Sequence, residues 1–175
     1  MKVRLWTALL GACLGAGTAG ADYRYVDIAV ASGVDFNHRN GAEGLRYLPE
    51  TYGSGVALFD ADGDDFQDLF LVNSSRVPTH PDGATNRLYR NEGNGKFTDI
   101  TASAGIADHD AYYGFQVLFS DYDRDGWPDL FVANDSSPNF FYHNRGDGRF
   151  TDRSLPTRLA YGRGGQIQAS MGVAW

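Results

Sequence analysis

The sequence predicts an all-β chain, a partial β-propeller made of four-stranded blades, and three observations lead there. An acidic nonapeptide, Asp60-Ala-Asp-Gly-Asp-Asp-Phe-Gln-Asp68, returns as Asp121-Tyr-Asp-Arg-Asp-Gly-Trp-Pro-Asp129, with matching apolar runs on both sides. Short alternating runs are separated by Asn-Gly and Asp-Gly pairs, the chemistry of tight hairpins. No stretch keeps a 3.6-residue apolar period, so nothing requires a long helix. A unit of four short strands recurring at this spacing is the pattern of a propeller blade.

Residues 1–21 differ in kind from the rest. Lys2 and Arg4 precede the apolar run Leu5–Ala16, and Ala19-Gly-Ala21 places small residues before a cleavage point at Asp22. That is the layout of a secretory signal peptide, and the run is too short to span a bilayer. Leu10-Gly-Ala-Cys13 also resembles a lipobox, which gives the alternative of a lipoprotein anchored at the cell surface through Cys13. On either reading the exported domain, secreted, extracellular or periplasmic, holds no cysteine pair, and a metal is the available clamp.

Residues 22–54 form a lead-in, with a strand expected over Tyr25–Ala29 and a turn over Asn37–Gly41. Residues 55–111 make blade one and 112–162 blade two. Each supplies a strand entering the acidic loop, one leaving it, one at Leu88-Tyr89 or Phe141-Tyr142, and one at Phe97 or Phe150. After each loop comes Asp-Leu-Phe-x-x-Asn, ending at Asn73 and Asn134. The offset between copies falls from 61 (Asn73 to Asn134) to 53 (Asn86 to Asn139), because the first Asn-to-Asn connection is eight residues longer. Repeat architectures tolerate such loop insertions. Residues 163–175 read as the first strand of a truncated third blade, Gly172-Val-Ala aligning with Gly55-Val-Ala. The chain would then be a fragment whose open edge invites self-association.

The loops carry the chemistry. Carboxylates occupy positions 1, 3, 5 and 9, so Asp60, Asp62, Asp64 and Asp68 are expected to converge with the Phe66 carbonyl at position 7. Asp121, Asp123, Asp125, Asp129 and the Trp127 carbonyl form the second set. Like charges about 4 Å apart repel by roughly 4 kcal/mol at a protein surface, so such a cluster calls for a cation. Hard oxygen donors point to calcium, about two ions in all. An EF-hand does not fit, since position 12 is Leu71 or Val132 rather than a bidentate Glu. Loop one carries Asp65 where loop two has Gly126, a departure expected to weaken the first site.

Net charge is −7, with 22 acidic residues against 15 Lys and Arg, and no basic stripe suggests nucleic acid. An apolar fraction of 42% suits a folded core rather than disorder. His38, His80, His109 and His143 show no zinc or catalytic spacing, and no serine sits in a nucleophile elbow. Catalytic residues are therefore expected to be none. Arg145-Gly-Asp147 falls in a hairpin turn whose chemistry accounts for it.

The doubled acidic loop together with Asn91-x-Gly-Asn-Gly-x-Phe-Thr-Asp99 and Asn144-x-Gly-Asp-Gly-x-Phe-Thr-Asp152 resembles the integrin-type FG-GAP, or VCBS-like, repeat. More narrowly, Asp35–Gly41, Leu48–Val56 and Asn86–Asn91 look like the start of ASPIC/UnbV proteins related to cartilage acidic protein. The resemblance covers about residues 23 to 175. It implies closed propellers with calcium at the eight loop aspartates and an exported location, and it implies no settled activity. The carboxy-terminal ASPIC/UnbV segment is not in this sequence.

The expected function is that of an exported, non-catalytic, calcium-binding propeller module for binding or adhesion to a protein or glycan, with function on loops such as 74–85. The alternative is the propeller part of an extracellular enzyme acting on polysaccharide or phosphoester, with its catalytic residues outside this chain.

Overall fold

Among the described residues eight strands alternate with turns and order themselves into two sheets. The computed structural model describes residues 25–40, 44, 51, 53–74, 85–106, 112–170 and 172–173. The first sheet comprises β1 (Val56–Phe59), β2 (Asp68–Leu71), β3 (Arg87–Asn91) and β4 (Phe97–Asp99), in that spatial order. The second comprises β5 (Tyr113–Ser120), β6 (Asp129–Asp135), β7 (Phe140–Asn144) and β8 (Phe150–Asp152), also in chain order. Every pairing is antiparallel, so each sheet is a four-stranded meander of the kind that makes a propeller blade.

The registers repeat as the sequence does. Phe59 faces Asp68 across the first acidic loop, and Ser120 faces Asp129 across the second. Tyr89 pairs with Asp99, and Tyr142 with Asp152. In β1 the alternation is clean: Ala57 and Phe59 are buried while Val56 and Leu58 are exposed, the two-residue period of a strand packed on one face. In β6 six of the seven residues are buried.

One apolar cluster joins both blades. Phe59, Phe70, Val72, Leu88 and Ile106 pack with Val117, Leu130, Val132, Tyr142 and Phe150. Phe59 stacks on Phe119 at 5.5 Å between centroids and meets Phe150 edge-on at 6.4 Å, arrangements that add to the area they bury. Close backbone approach makes the seam between blades possible. A Cβ on Gly55 would lie 2.9 Å from the Val117 nitrogen, and one on Gly114 would lie 2.8 Å from the Asn73 carbonyl oxygen and collide with Val72 Cγ1.

The lead-in departs from expectation. Residues 25–28 have no ladder partner among the described residues, and Ala29–Ser32 forms one helical turn, α1, instead of the end of a strand. Asp27 Oδ1 accepts from the Ala29 N–H at 2.9 Å, and Gly33 ends the turn in the left-handed region at φ 93°. The turn expected at 37–41 is also absent over residues 37–40. Asn73 instead holds that run to blade one: its Oδ1 accepts from Arg39 N and its Nδ2 donates to Asn37 O.

At the other end, no strand is formed by the described residues of 163–175. Ser170 N nevertheless donates to Asn134 O, and the Gln116 amide both donates to Val173 O and accepts from Val173 N. Residues 1–24, with the expected signal peptide and Cys13, lie outside the described residues, as does 75–84. Among the described residues no helix is long and apolar enough to cross a membrane.

Candidate metal centre

Each acidic loop closes on its first aspartate. In loop one, Asp60 Oδ1 accepts from Gly63 N (2.7 Å) and Asp64 N (3.2 Å), and Oδ2 from Asp65 N (3.0 Å). In loop two, Asp121 Oδ1 accepts from Asp125 N and Oδ2 from Gly126 N, both at 3.0 Å. The fifth position turns in the same way, Asp64 accepting from Phe66 N and Asp125 from Trp127 N. These Asx-type bonds satisfy the loop backbone locally, which leaves the remaining oxygens free to face one another.

The ninth position is a buried brace. Asp68 is fully buried, with Oδ2 accepting from Ala61 N and Oδ1 from Asn91 N. Asp129 is equally enclosed and accepts from Tyr122 N and Asn144 N. Each thus ties the start of its loop to the third strand. Burial pushes the Asp68 carboxyl up to about 6; its two backbone donors oppose the rise, and Asp62 and Asp64 add to it. Asp62 is also raised, by burial first and then by the charges of Asp64 and Asp60. Both shifts describe negative charge gathered without enough compensation.

Ligand atoms of Asp60, Asp62 and Asp68 lie within 4.8 Å of one another, as do those of Asp121, Asp123 and Asp125. Asp64 falls outside the first trio, and Asp129 outside the second. Asp129 instead groups with Asp123 and His143. Phe66 and Trp127 use their rings: Phe66 covers Gly93, while Trp127 covers Gly146 and reaches Gly63 of the other loop. Trp127 therefore lies against Gly146 of the Arg145-Gly-Asp147 turn.

His143 is the residue that sequence reasoning passed over. Its Nδ1 lies 3.1 Å from Asp129 Oδ1 and 3.6 Å from Asp123 Oδ2. The signal was its offset of 53 from Arg90, whose charge acts on Asp62 and which pairs with Glu92 Oε1 at 2.8 Å. A basic residue at this point of the third strand stands beside each loop. The spacing among histidines is blind to that.

The steric contrast between the loops also changes. Each loop holds two residues at positive φ, Gly63 (80°) with Asp65 (70°) and Arg124 (64°) with Gly126 (97°). Each thus has one glycine and one strained residue, at exchanged positions. Gly126 alone no longer argues that loop two is the better site.

The cluster fits a hard cation on one observation above all. Asp62 Oδ1 is buried with no hydrogen-bond partner, next to two further carboxylates. A buried unpaired carboxylate oxygen is costly, and a divalent ion held by Asp60, Asp62 and Asp68 would compensate it.

The comparisons agree with this architecture. A family profile described as FG-GAP-like repeat matches residues 60–132 and again 121–174. Cartilage acidic protein 1 of Mus musculus is 32% identical over 109 residues, 61% of this chain and 16% of that protein. The Homo sapiens protein is 31% identical over 109 residues, and the Xenopus tropicalis protein 30% over 121, or 68% of this chain. The human and frog matches cover 15% and 17% of those relatives, so this chain spans about a sixth of their length. With two profile matches that begin at the first aspartates of the two loops and run through most of both blades, the chain belongs to the FG-GAP-like repeat family.

Proposed function

We propose that the chain is an exported, calcium-stabilised propeller module that binds a protein or glycan and performs no catalysis itself. The unpartnered Asp62 Oδ1 at the meeting point of Asp60, Asp62 and Asp68 carries this reading. The ions would hold the acidic loops in shape against their own repulsion and leave the outer loops, 74–85 among them, to meet a ligand. Blade two would hold its ion through Asp121, Asp123 and Asp125, with Asp129 bracing the loop from beneath. Export rests on the charged, apolar and small-residue regions of 1–21, and the intact mass of material from the native host should correspond to a chain starting at Asp22 or at a lipidated Cys13. An unprocessed Met1 start in cytosolic material refutes export.

Calorimetric titration tests the calcium reading. About two ions should bind, with dissociation constants on the order of 10⁻⁴ to 10⁻³ M, as in other extracellular modules. Asp62→Asn should remove one of them. In metal-free protein the same change should raise the melting temperature, because it removes a buried charge that nothing neutralises. Absence of binding heat and of any calcium-dependent rise in melting temperature overturns the proposal.

A further inference from the structure

Residues 91–96 and 144–149 build the same turn twice. Gly93 N donates to Asn91 Oδ1 at 3.1 Å, and Gly146 N to Asn144 Oδ1 at 3.0 Å. Glu92 N donates to Lys96 O and Arg145 N to Arg149 O, both at 2.9 Å. Both glycines of each turn are left-handed, Gly93 and Gly95 at φ 70° and 80°, Gly146 and Gly148 at 76° and 72°. The side chain between the glycines closes the turn: Lys96 N donates to Asn94 Oδ1 at 3.0 Å, and Arg149 N to Asp147 Oδ1 at 3.1 Å. At that position blade one has an amide where blade two has a carboxylate.

An amide followed by glycine has a reaction open to it, because the next backbone nitrogen can close on the side-chain carbonyl carbon with no Cβ in the way. The blade-one turn leaves every participant ready. Asn94 and Gly95 are exposed, and nothing lies within 4 Å of the place a Gly95 Cβ would take. Gly95 N, the nucleophile, has no hydrogen-bond partner among the described residues, so solvent base can reach its proton. The bond from Lys96 N folds the Asn94 side chain back over its own backbone and faces the oxygen on which negative charge develops. Asn94 Nδ2, the group that must leave, is also without a partner among the described residues.

Other asparagines are placed differently. Asn91 commits both ends of its amide, to Gln67 O and Gly93 N, and is followed by Glu92. Asn73, Asn86, Asn134, Asn139 and Asn144 are buried. Asn40 is followed by Gly41, which lies outside the described residues.

We propose that Asn94 is a site of spontaneous deamidation, which gives the blade-one turn the carboxylate that blade two carries by sequence, with water as the co-reactant. Base removes the Gly95 N–H proton, the nitrogen bonds to Asn94 Cγ, and the Cγ–Nδ2 bond breaks as Nδ2 takes up a proton and leaves as ammonia. Water opens the resulting cyclic imide. Addition at Cγ breaks the new bond and gives aspartate at 94; addition at the main-chain carbonyl breaks the original peptide bond and gives isoaspartate, whose chain runs through Cγ. Neither step oxidises or reduces anything. The aspartate product fits the turn, because Asp147 holds the same place with the same bond. Isoaspartate adds a methylene to the main chain and so displaces Lys96, whose N and O both close the turn and whose Nζ donates to Ala31 O of the lead-in. Asn91 Nδ2 on Gln67 O and the Phe66 ring on Gly93 set this hairpin beside the first acidic loop, so conversion adds negative charge on that side of blade one. The inference rests on the geometry of the turn and stands whether or not the loops bind calcium.

Incubation of the full chain in heavy-oxygen water at neutral to mildly alkaline pH tests it, with a synthetic peptide of residues 91–97 as the unfolded reference. Fragmentation of the tryptic peptide 91–96 should place a solvent oxygen at residue 94 and none at Asn91. The folded chain should convert at least as fast as the free peptide, since the turn holds the reacting groups together, and the rate should rise with pH. Asn94→Asp should melt as the parent does, whereas aged parent enriched in isoaspartate should melt lower. A folded rate below about a tenth of the peptide's means that the turn obstructs the reaction, and it overturns the proposal. Absence of conversion, equal conversion at Asn91, or a fall in melting temperature for Asn94→Asp as large as that of the aged protein overturns it too.

Discussion

Replacing Asn144 by alanine should cost far more than the same change at its counterpart Asn91, and the difference measures how strongly the two blades are coupled. Asn144 is fully buried. Its Nδ2 donates to Pro128 O at 3.1 Å, within its own blade, and to Ala61 O at 3.0 Å, in the acidic loop of the other. Its Oδ1 accepts from Gly146 N at 3.0 Å. Asn91 makes the two intra-blade bonds, to Gln67 O and from Gly93 N, near solvent, and has no bond across blades among those described. At a net worth of about 1 kcal/mol per bond, with the orphaned buried groups adding to it, Asn144→Ala should lose about 3 kcal/mol. Asn91→Ala should lose about 1 kcal/mol or less, since water can replace its partners. Urea denaturation in excess calcium measures both, and the m-value shows whether the transition stays single. For a chain of this size the larger loss corresponds to a fall of roughly 6 to 12 °C in melting temperature. Equal losses, or a smaller one at Asn144, would refute the claim that this amide links the blades.

Three further outcomes follow from the same geometry. Gly114→Ala should destabilise by roughly 1 to 3 kcal/mol by forcing Val72 and the Asn73 carbonyl away from the seam, whereas Gly126→Ala, with open space around it, should cost only the strain of its positive φ; paired thermal melts compare them. With its carboxyl raised to about 6, Asp68 holds a proton in the folded metal-free state that the unfolded chain has already lost above about pH 4. Its contribution to metal-free stability is therefore full below about pH 4 and is lost as pH rises through 6, while the rise in melting temperature caused by calcium, which needs the carboxylate, should shrink as pH falls below 6; melts with calcium and with chelator from pH 4 to 8 check both, and Asp68→Asn should flatten the metal-free profile. His143→Ala should alter calcium binding at loop two and leave loop one unchanged, which titration against the Asp62→Asn background resolves.

The sequence alone determined what is local and periodic. The doubled Asp-x-Asp-x-Asp pattern, the Asn-x-Gly turns and the two-residue alternation of Val56–Phe59 each act within a few residues, and the structure forms the strands and hairpins where they indicate. Tertiary structure alone decided which residues from distant positions meet. Asn144 reaches Ala61 across 83 residues, and His143 comes to face Asp123 and Asp129 only because β7 pairs with β6. The acidic loops show the division within one motif. Sequence supplied the eight aspartates, but packing enclosed Asp68 and Asp129 as braces and left Asp62 Oδ1 without a partner. Tyr25-Val-Asp27 has strand-forming residues, yet a strand needs a neighbour to satisfy its backbone, and whether one is present is a property of the assembled sheet and not of the three residues.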